Sequence, residues 1–476
     1  MGSIARLREL LTHVVRPVRD DTRRQLAQSW AALPPALRTP HQMLGRQGNG
    51  CGATIGAMPR CDFACRGCYL GEEANRIPAA SVEEIKAQMR LLRPVLGHAG
   101  NLQLTDGEVT LRPESELIEL LRYARELELV PMLMTHGDTF RRRPGLLERL
   151  MTEGGLTEVS IHVDTTQRGR KGARWRDAAA ERDLNPLRDE FAELARAAKR
   201  ATGLPLRCAT TMTVTRENLP GVADVLRWLV QNADVFHLIS FQPIAQVGRT
   251  EDGFGGGVTA DALWEEVARA LGNGTSAGAA RVARGAKWLG HSACNRFVHG
   301  IVSRRDSGAV SFHPIRESGD VMDEAVVDGF LSRFGGITFR VGTRADTMAK
   351  LAGVMVTAPA FVARHLIPYV AHWARRLDDG APWRAAWDVS RGATRLHGLA
   401  IVSHHFMSRD ELESPLGQER VAQCVFHVPI DGALVSMCEV NALGRREQLY
   451  ARLARGGATA ETDASAGAAT AVTVGA

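Results

Sequence analysis

Three cysteines lie close together at Cys61, Cys65 and Cys68, with three and then two residues between them. Because thiolates are strong ligands for iron and zinc, this spacing allows one loop to wrap a single metal centre. Three protein ligands leave a fourth position open for a substrate or cofactor, whereas a structural zinc site fills all four. The alternative is a zinc site that borrows Cys51, although zinc sites favour paired C-x-x-C units.

Polar side chains recur where predicted strands end. Asp106, Gly107 and Glu108 follow one apolar run, and Ser160, His162 and Asp164 alternate along another. Alternation places those last three side chains on one face of their strand, which points into the interior if Ile161 and Val163 face the helices. Buried polar groups are costly without partners. These residues therefore either bind a ligand or form a satisfied structural network.

Six apolar, β-branched runs alternate strictly with six segments of helical period. The predicted strands are Gly52–Pro59, Asn101–Glu108, Val130–Asp138, Glu158–Thr165, Pro205–Val214 and Val235–Ile244. The predicted helices are Val82–Leu96, Glu114–Leu127, Pro144–Glu153, Leu187–Arg200, Leu219–Asn232 and Thr259–Leu271. Strict alternation predicts a parallel α/β fold, either a full or partial (β/α) barrel or a doubly wound sheet. In each, ligands gather at the carboxyl ends of the strands.

The pattern predicts four regions. Residues 1–45 read as a helical extension, and residues 46–272 as the barrel. Residues 273–455 read as an irregular α+β region, which includes a helix pair interrupted at Pro359. Residues 456–476 are nearly all Ala, Gly, Thr and Ser, a composition too poor in core-forming residues to pack, so we expect a disordered tail.

Composition narrows the class of protein. The 476 residues are 45% hydrophobic and 24% charged, as expected for a globular protein with a sizeable core. The net charge of +6 comes from Arg spread in mixed-sign runs without an aromatic platform, which argues against nucleic-acid binding but leaves contact with anionic membranes open. Since no apolar run reaches the roughly 18 residues of a membrane span and no signal peptide is evident, we expect a cytoplasmic protein.

The cysteine loop, followed by the aromatic residue Tyr69 and placed after the first barrel strand, resembles the signature of the radical SAM superfamily. The resemblance covers roughly residues 50 to 260. It implies a partial (β/α)6 barrel and a [4Fe–4S] cluster on Cys61, Cys65 and Cys68, with one iron open to S-adenosylmethionine.

The same resemblance implies roles around that cluster. Tyr69 would pack on the adenine of S-adenosylmethionine, and Asp106, Gly107 and Glu108 would hold its methionine end. Asp106 stands where the family usually has the first glycine of a Gly-Gly-Glu segment. His162, Asp164 and Gln242 would contact S-adenosylmethionine or the substrate.

A second set of cysteines follows the barrel at Cys294, Cys424 and Cys438. Cys424 and Cys438 flank a predicted hairpin at Asp431-Gly432, which would bring their sulfurs to one site. We interpret the set as ligands of an auxiliary [4Fe–4S] cluster, whose fourth ligand is Cys208, Cys51 or a non-protein group. The alternative is that each behaves as a small buried hydrophobe.

A narrower resemblance includes residues at the end of the barrel and around the second set of cysteines. The run Ile239 to Pro243 with Gly248-Arg249 is similar to the sixth-strand signature of radical SAM enzymes related to archaeal tetraether lipid synthase and to an archaeal pterin-precursor methylase. So is the set His405, Met407, Glu419, Arg420, Cys424, His427, Asp431, Gly432, Cys438 and Asn441. The N-terminal metal-binding cysteines of those proteins are absent here.

The resemblance implies an enzyme that cleaves S-adenosylmethionine and abstracts hydrogen from an unactivated carbon of a small-molecule or lipid substrate. Carbon–carbon bond formation or group transfer would follow, and a flavodoxin- or ferredoxin-type protein would donate the electron. A peptide-modifying radical SAM maturase and a non-enzymatic metal-binding scaffold remain as alternatives.

Overall fold

The computed structural model describes residues 20–48, 52–170, 172–250, 257–272, 274–337, 344–377 and 381–454. The first part of the predicted helical extension, Cys51 and the predicted tail lie outside these residues.

Eleven strands form one open sheet in the order β11-β10-β1-β2-β3-β4-β5-β6-β9-β7-β8. Their bounds are β1 Gly52–Met58, β2 Asn101–Asp106, β3 Val130–Thr135, β4 Glu158–His162, β5 Arg207–Val214, β6 Phe236–Pro243, β7 Asn295–Arg305, β8 Val310–Pro314, β9 Thr394–His404, β10 Phe426–Ile430 and β11 Ala433–Ser436. Strands β1 to β6 are parallel and neighbours in sequence order. The predicted α/β fold with a partial (β/α)6 barrel is therefore confirmed.

Helices follow the barrel strands, six of them at the predicted positions and three, Asp138–Arg142, Ala173–Arg176 and Ser276–Arg284, that were not predicted. They are Val82–Leu96, Glu114–Glu126, Asp138–Arg142, Leu146–Thr152, Ala173–Arg176, Asn185–Thr202, Val222–Gln231, Ala260–Leu271 and Ser276–Arg284. The remaining helices are Asp20–Ala32, Val321–Phe334, Arg344–Thr357, Pro359–Phe361, Ile367–Leu377, Pro382–Ser390, Arg409–Glu413, Pro415–Ala422, Met437–Ala442 and Arg445–Ala454. A single π turn, Val362–Leu366, joins two of them.

The alternation of β2 shows how the barrel divides apolar from polar side chains. Leu102 and Leu104 are fully buried and belong to the main core with Ile85, Met89 and Leu92 of the covering helix. Gln103 and Thr105, one residue out of phase, line the cavity inside the barrel instead. The period-two pattern thus places apolar residues under the helices and leaves polar residues for the interior.

Segments from the C-terminal region complete the sheet at both edges. Strand β9 pairs in parallel with β6, and β10 pairs in parallel with β1. The predicted hairpin is confirmed: Asp431 and Gly432 both have positive φ, at 50° and 76°, and join β10 to β11. Two such residues match the twist of the strands that they connect.

The predicted interruption at Pro359 is also confirmed. Within the part of the chain that is described, no single helix has the length and apolarity needed to cross a bilayer. Ala345–Thr357 and Pro359–Leu377 meet those criteria only as a pair, and they are bent by 93°.

Candidate active site

The cysteine loop follows β1 and is anchored on both sides. The Cys61 N–H donates to Asn75 Oδ1 at 2.9 Å. The Ala64 and Arg66 N–H groups donate to the carbonyls of Arg168 and Thr166, at 2.8 and 2.9 Å. Gly67, with a φ of +79°, turns the chain between Cys65 and Cys68. A Cβ at Gly67 would lie 2.9 Å from Ile244, so this turn requires glycine.

All three thiols line one cavity at the carboxyl ends of the strands. Burial raises the pKa of Cys61 to about 12, and it also raises the pKa of Cys65 and of Cys68. The other two sulfurs raise the pKa of Cys65 further, because they lie near it. Such a site stabilises three sulfurs either as neutral thiols or as ligands of a metal centre that replaces their protons. The donor set therefore fits an iron–sulfur cluster with one open position.

The carboxylate of Asp106, at the end of β2, has a partner that the sequence did not reveal. Arg446 Nη1 lies 2.7 and 2.6 Å from its two oxygens, and Tyr450 also donates to it. The Tyr69 hydroxyl donates to the same carboxylate at 3.2 Å. The sequence assigned this side chain to the methionine end of S-adenosylmethionine, but here it binds the last described helix. Its φ of +81° preserves the backbone conformation that glycine favours.

Gly107 is needed for a close backbone approach, but to the chain itself. A Cβ there would lie 2.2 Å from the Arg60 carbonyl oxygen and 2.5 Å from that of Pro59. Gly107 N–H donates to Met58 O at 2.6 Å, which fixes the end of β2 against the start of the cysteine loop.

Glu108 is fully buried and its carboxylate accepts several hydrogen bonds. Oε1 accepts from the Thr135 hydroxyl at 2.6 Å and from the Thr110 N–H at 3.1 Å. Oε2 accepts from the His136 N–H at 2.9 Å. These donors hold the carboxylate in one position at the cavity wall.

His162, on β4, lines the cavity and is oriented by Asp164. His162 Nε2 is hydrogen-bonded to Asp164 Oδ2, which also accepts from the Thr213 N–H at 2.7 Å. Burial opposes ionisation of Asp164, but His162 and these hydrogen bonds lower its pKa to about 2. Asp164 therefore acts through His162 and does not itself line the cavity.

A second imidazole, His136, lies beside the cysteine loop. Its Nδ1 accepts from the Asp138 N–H at 3.1 Å, so Nε2 carries the proton and donates to Asp62 Oδ1 at 2.7 Å. Its ring stacks on Phe63 with 3.8 Å between centroids. This contact fixes the residues that follow Cys61.

Tyr69 and Gln242 also reach the cavity. The Tyr69 ring lies 5.2 Å from the Arg446 guanidinium carbon. Gln242, at the end of β6, makes no side-chain hydrogen bond within the described residues. Its amide is therefore available to a ligand.

The three later cysteines come together at a second place. The sulfurs of Cys294 and Cys438 lie near enough to Cys424 to raise its pKa, although burial is the main cause. Burial and the Cys294 sulfur likewise raise the pKa of Cys438 to about 11. Arg420 Nε lies 3.4 Å from Cys294 Sγ. Cys424 precedes β10 and Cys438 follows β11, so the two cysteines flank the hairpin.

Cys208 does not join this group. It begins β5 at the amino-terminal end of the barrel, where Lys199 and Asp234 are the charged groups that influence it. Burial raises its pKa to about 12. Of the two cysteines suggested as a fourth ligand, Cys208 lies elsewhere and Cys51 is outside the described residues.

Three cavities adjoin along the barrel interior. The upper one, of about 190 Å³, contains the cysteine loop, and it shares Gln103, Met134 and Thr211 with a middle cavity of about 310 Å³. The middle cavity shares Met132, Ala209 and Leu238 with a lower cavity of about 590 Å³. A molecule longer than S-adenosylmethionine could therefore extend from the cysteines toward the other end of the barrel.

The lower cavity contains one buried cation, Lys287. This side chain is 6% exposed and forms no ion pair with any described residue. Burial, together with the nearby Arg316 and Arg46, lowers its pKa to about 8.

The sequence did not predict two residues of the site. Asp62 could have been predicted, because it directly follows Cys61. Arg446 gave no signal, since its partner lies 340 residues away.

The fold is an open (β/α)6 barrel with a three-cysteine loop at the carboxyl ends of its strands. Residues 55–229 match the family model of the radical SAM superfamily.

Known proteins resemble parts of this chain. The chain is 24% identical over 201 residues to 7,8-dihydro-6-hydroxymethylpterin dimethyltransferase of Methanocaldococcus jannaschii, an alignment of 42% of this chain and 37% of that protein. The chain thus spans little more than a third of the curated relative that it matches. Solved structures with a similar fold include SuiB of Streptococcus suis bound to S-adenosylmethionine (15% identity, 47% of this chain and 48% of that one, TM-score 0.33). Methylornithine synthase is another (15%, 56% and 72%, TM-score 0.34).

Proposed function

We propose that this protein is a radical SAM enzyme that abstracts hydrogen from an unactivated carbon of an elongated, largely apolar substrate. The observation that carries the proposal is the convergence of Cys61, Cys65 and Cys68 on one cavity of a radical SAM domain. Glu108, His162 and Gln242 line the same cavity, so the metal site and a set of polar ligand-binding groups share one space.

A [4Fe–4S] cluster on these cysteines, given one electron by a flavodoxin- or ferredoxin-type protein, supplies reductive cleavage of S-adenosylmethionine to methionine and a 5′-deoxyadenosyl radical that takes the substrate hydrogen. The side chains of the cavity bind and orient S-adenosylmethionine. Glu108, held in place by its donors, accepts from the ammonium of the methionine end. His162, oriented by Asp164, and the Gln242 amide hydrogen-bond the remaining polar groups.

Apolar side chains in the same cavity exclude water. Phe63, Tyr69, Phe406 and Phe426 contribute to its wall. This exclusion matters because a carbon radical in contact with side reductants would be quenched before it reached the substrate.

The later cysteines hold a second iron–sulfur cluster. The proximity of Cys294, Cys424 and Cys438 supports it, as does the Arg420 side chain beside Cys294. A fourth position is left for Cys51 or a non-protein ligand.

The substrate is a lipid or another long apolar molecule. The adjoining middle and lower cavities support this choice, since Met132, Met134, Leu238 and Phe297 line the middle one. Carbon–carbon bond formation or group transfer completes the reaction in the cytoplasm. Group transfer has the further support of the relative that is a dimethyltransferase.

The test compares anaerobically reconstituted wild type with the Cys61→Ala/Cys65→Ala/Cys68→Ala variant. We expect iron to fall from about eight to about four atoms per chain, and 5′-deoxyadenosine formation from S-adenosylmethionine and dithionite to be lost. The matched control is Cys208→Ala, a buried cysteine outside both groups, which should change neither quantity. Undiminished 5′-deoxyadenosine formation in the triple variant would contradict the proposed function.

A further inference from the structure

Exposed large apolar side chains concentrate on one layer of helices. Apart from Leu111, Leu204 and Leu416, every strongly exposed large apolar residue of the described chain lies within residues 321–396. Scattered exposed apolar residues are normal on protein surfaces, but a concentrated set marks an interaction surface.

The helix Arg344–Thr357 buries Val354 but exposes other apolar side chains along a different side. Met348, Leu351 and Met355 recur at helical spacing on one side and are 65%, 44% and 59% exposed. Lys350, on the other side, is only 6% exposed. A helix on a water-facing surface has the opposite arrangement, with apolar residues inward and charges outward.

The next two helices repeat the feature. Ile367 and Val370 of Ile367–Leu377 are 61% and 59% exposed. Trp383 and Trp387 of Pro382–Ser390 are one helical turn apart and are 69% and 63% exposed. Tryptophan is enriched where proteins meet the headgroup region of a bilayer, because its ring is apolar while its N–H is polar.

The charge of this layer matches an anionic surface. From residue 344 to residue 390 the sequence has six Arg or Lys and four Asp, and no acidic residue lies between Thr347 and Leu377. Arg364 and Arg375 are exposed. Arg384 is also exposed, and its guanidinium carbon lies 5.6 Å from the Trp383 ring centroid. Basic residues beside exposed apolar and tryptophan side chains are typical of segments that lie in the interface of membranes with anionic lipids.

One of these helices also borders the barrel interior. Tyr369 of Ile367–Leu377, and Leu366 just before it, line the lower cavity together with Ala209 and Leu238 of the strands. The segment that exposes Ile367 and Val370 therefore also contributes to the wall of this cavity.

We propose that the helices of residues 344–390 form a docking surface for the face of a bilayer that contains anionic lipids. The exposed apolar side chains enter the headgroup boundary and the arginines contact lipid phosphates. This interaction goes beyond the proposed function, because it needs neither the cluster nor S-adenosylmethionine.

The test is flotation of the full-length protein with vesicles of phosphatidylcholine alone or mixed with phosphatidylglycerol. We expect wild type to float with the anionic vesicles, and less so at high salt, which screens the arginines. The Met348→Ser/Met355→Ser/Trp383→Ser/Trp387→Ser variant should lose about tenfold or more in vesicle affinity, since it removes apolar area from the surface. All four positions are exposed, so an unchanged melting temperature and iron content will confirm that the variant folds.

The matched control is Leu204→Ser/Leu416→Ser, which removes exposed leucines elsewhere and should float as wild type does. Equal flotation of wild type and the quadruple variant would overturn the proposal, as would failure of wild type to bind either vesicle. Light scattering provides the other decisive result: a wild-type dimer that becomes monomeric in the variant, without vesicle binding, would make the layer an interface between copies of the chain.

Discussion

Arg446 and Asp106 form a buried ion pair between the last described helix and the second barrel strand, in which Arg446 Nη1 donates to both carboxylate oxygens. The two side chains are 4% and 1% exposed. The sequence resemblance expects a glycine at the position of Asp106, yet this side chain fits because the neighbouring strand has a glycine. A Cβ at Gly56 would lie 2.0 Å from Asp106 Oδ2. The carboxylate, its arginine and this glycine thus form one structural unit.

Removing one partner of this pair should destabilise the protein strongly. We expect Arg446→Met to lower the free energy of unfolding by about 3–5 kcal/mol, because it leaves the Asp106 carboxylate buried without its cation. The Asp106→Gly/Arg446→Met double variant should regain much of that loss, since glycine also suits the positive φ. Urea denaturation measures both effects, and Arg445→Met is the matched control. A double variant no more stable than Arg446→Met would contradict this explanation.

Asp164 should stabilise the folded protein, and this stabilisation should be lost at acidic pH. Its pKa in the folded protein, about 2, is lower than its ordinary value of 3.8, so the stabilisation is complete above about pH 4 and is lost as the pH falls through 2. We expect Asp164→Asn to lower the free energy of unfolding by about 1–3 kcal/mol at pH 6. The difference between wild type and variant should shrink as the pH approaches 2. A constant difference across this range would show that the carboxylate charge is not responsible.

Lys287 should destabilise the folded protein, and this destabilisation should disappear at high pH. Its pKa falls from 10.5 to about 8 on folding, so the folded protein pays for a buried charge at and below about pH 8, and this cost disappears as the pH rises toward 10.5. We therefore expect Lys287→Met to stabilise the protein by about 2–3 kcal/mol at pH 7, and by less at pH 10. Melting temperatures at both pH values test this. A variant less stable than wild type at pH 7 would indicate that the ammonium has a favourable partner.

The second cysteine group should bind iron independently of the first. Cys294→Ala/Cys424→Ala/Cys438→Ala should reduce the iron content by about four atoms per chain, while the paramagnetic signal of the remaining reduced cluster still changes on addition of S-adenosylmethionine. Iron analysis and electron paramagnetic resonance measure these two outcomes. Unchanged iron in this variant would assign the three residues to the protein core.

Local sequence patterns predicted the barrel well. The six strands begin within two residues of their predicted starts, because each is a β-branched run bounded by turn residues. Ser81 and Glu84 form a capping box at the start of Val82–Leu96, a pattern of local sequence. The Asp431-Gly432 turn could also be predicted, because few pairs of residues have positive φ angles at both positions.

Long-range pairings could not be predicted in the same way. Nothing in residues 394–404 or 426–430 indicates that these strands join β6 and β1, since pairing between distant segments has no local signature. The partner of Asp106 is invisible for the same reason. The polar residues of the cavity were found because they lie at the ends of strands, but the sequence could not distinguish Asp164, which orients an imidazole, from His162, which lines the cavity.

The separation of 340 residues between Asp106 and Arg446 has a consequence for biosynthesis. Arg446 is synthesised about two hundred residues after the last barrel strand, β6. Until then Asp106 lacks its cation, and β1 lacks β10 at its edge until residues 426–430 have been made. The second barrel strand therefore reaches its native arrangement only after Arg446 has been synthesised.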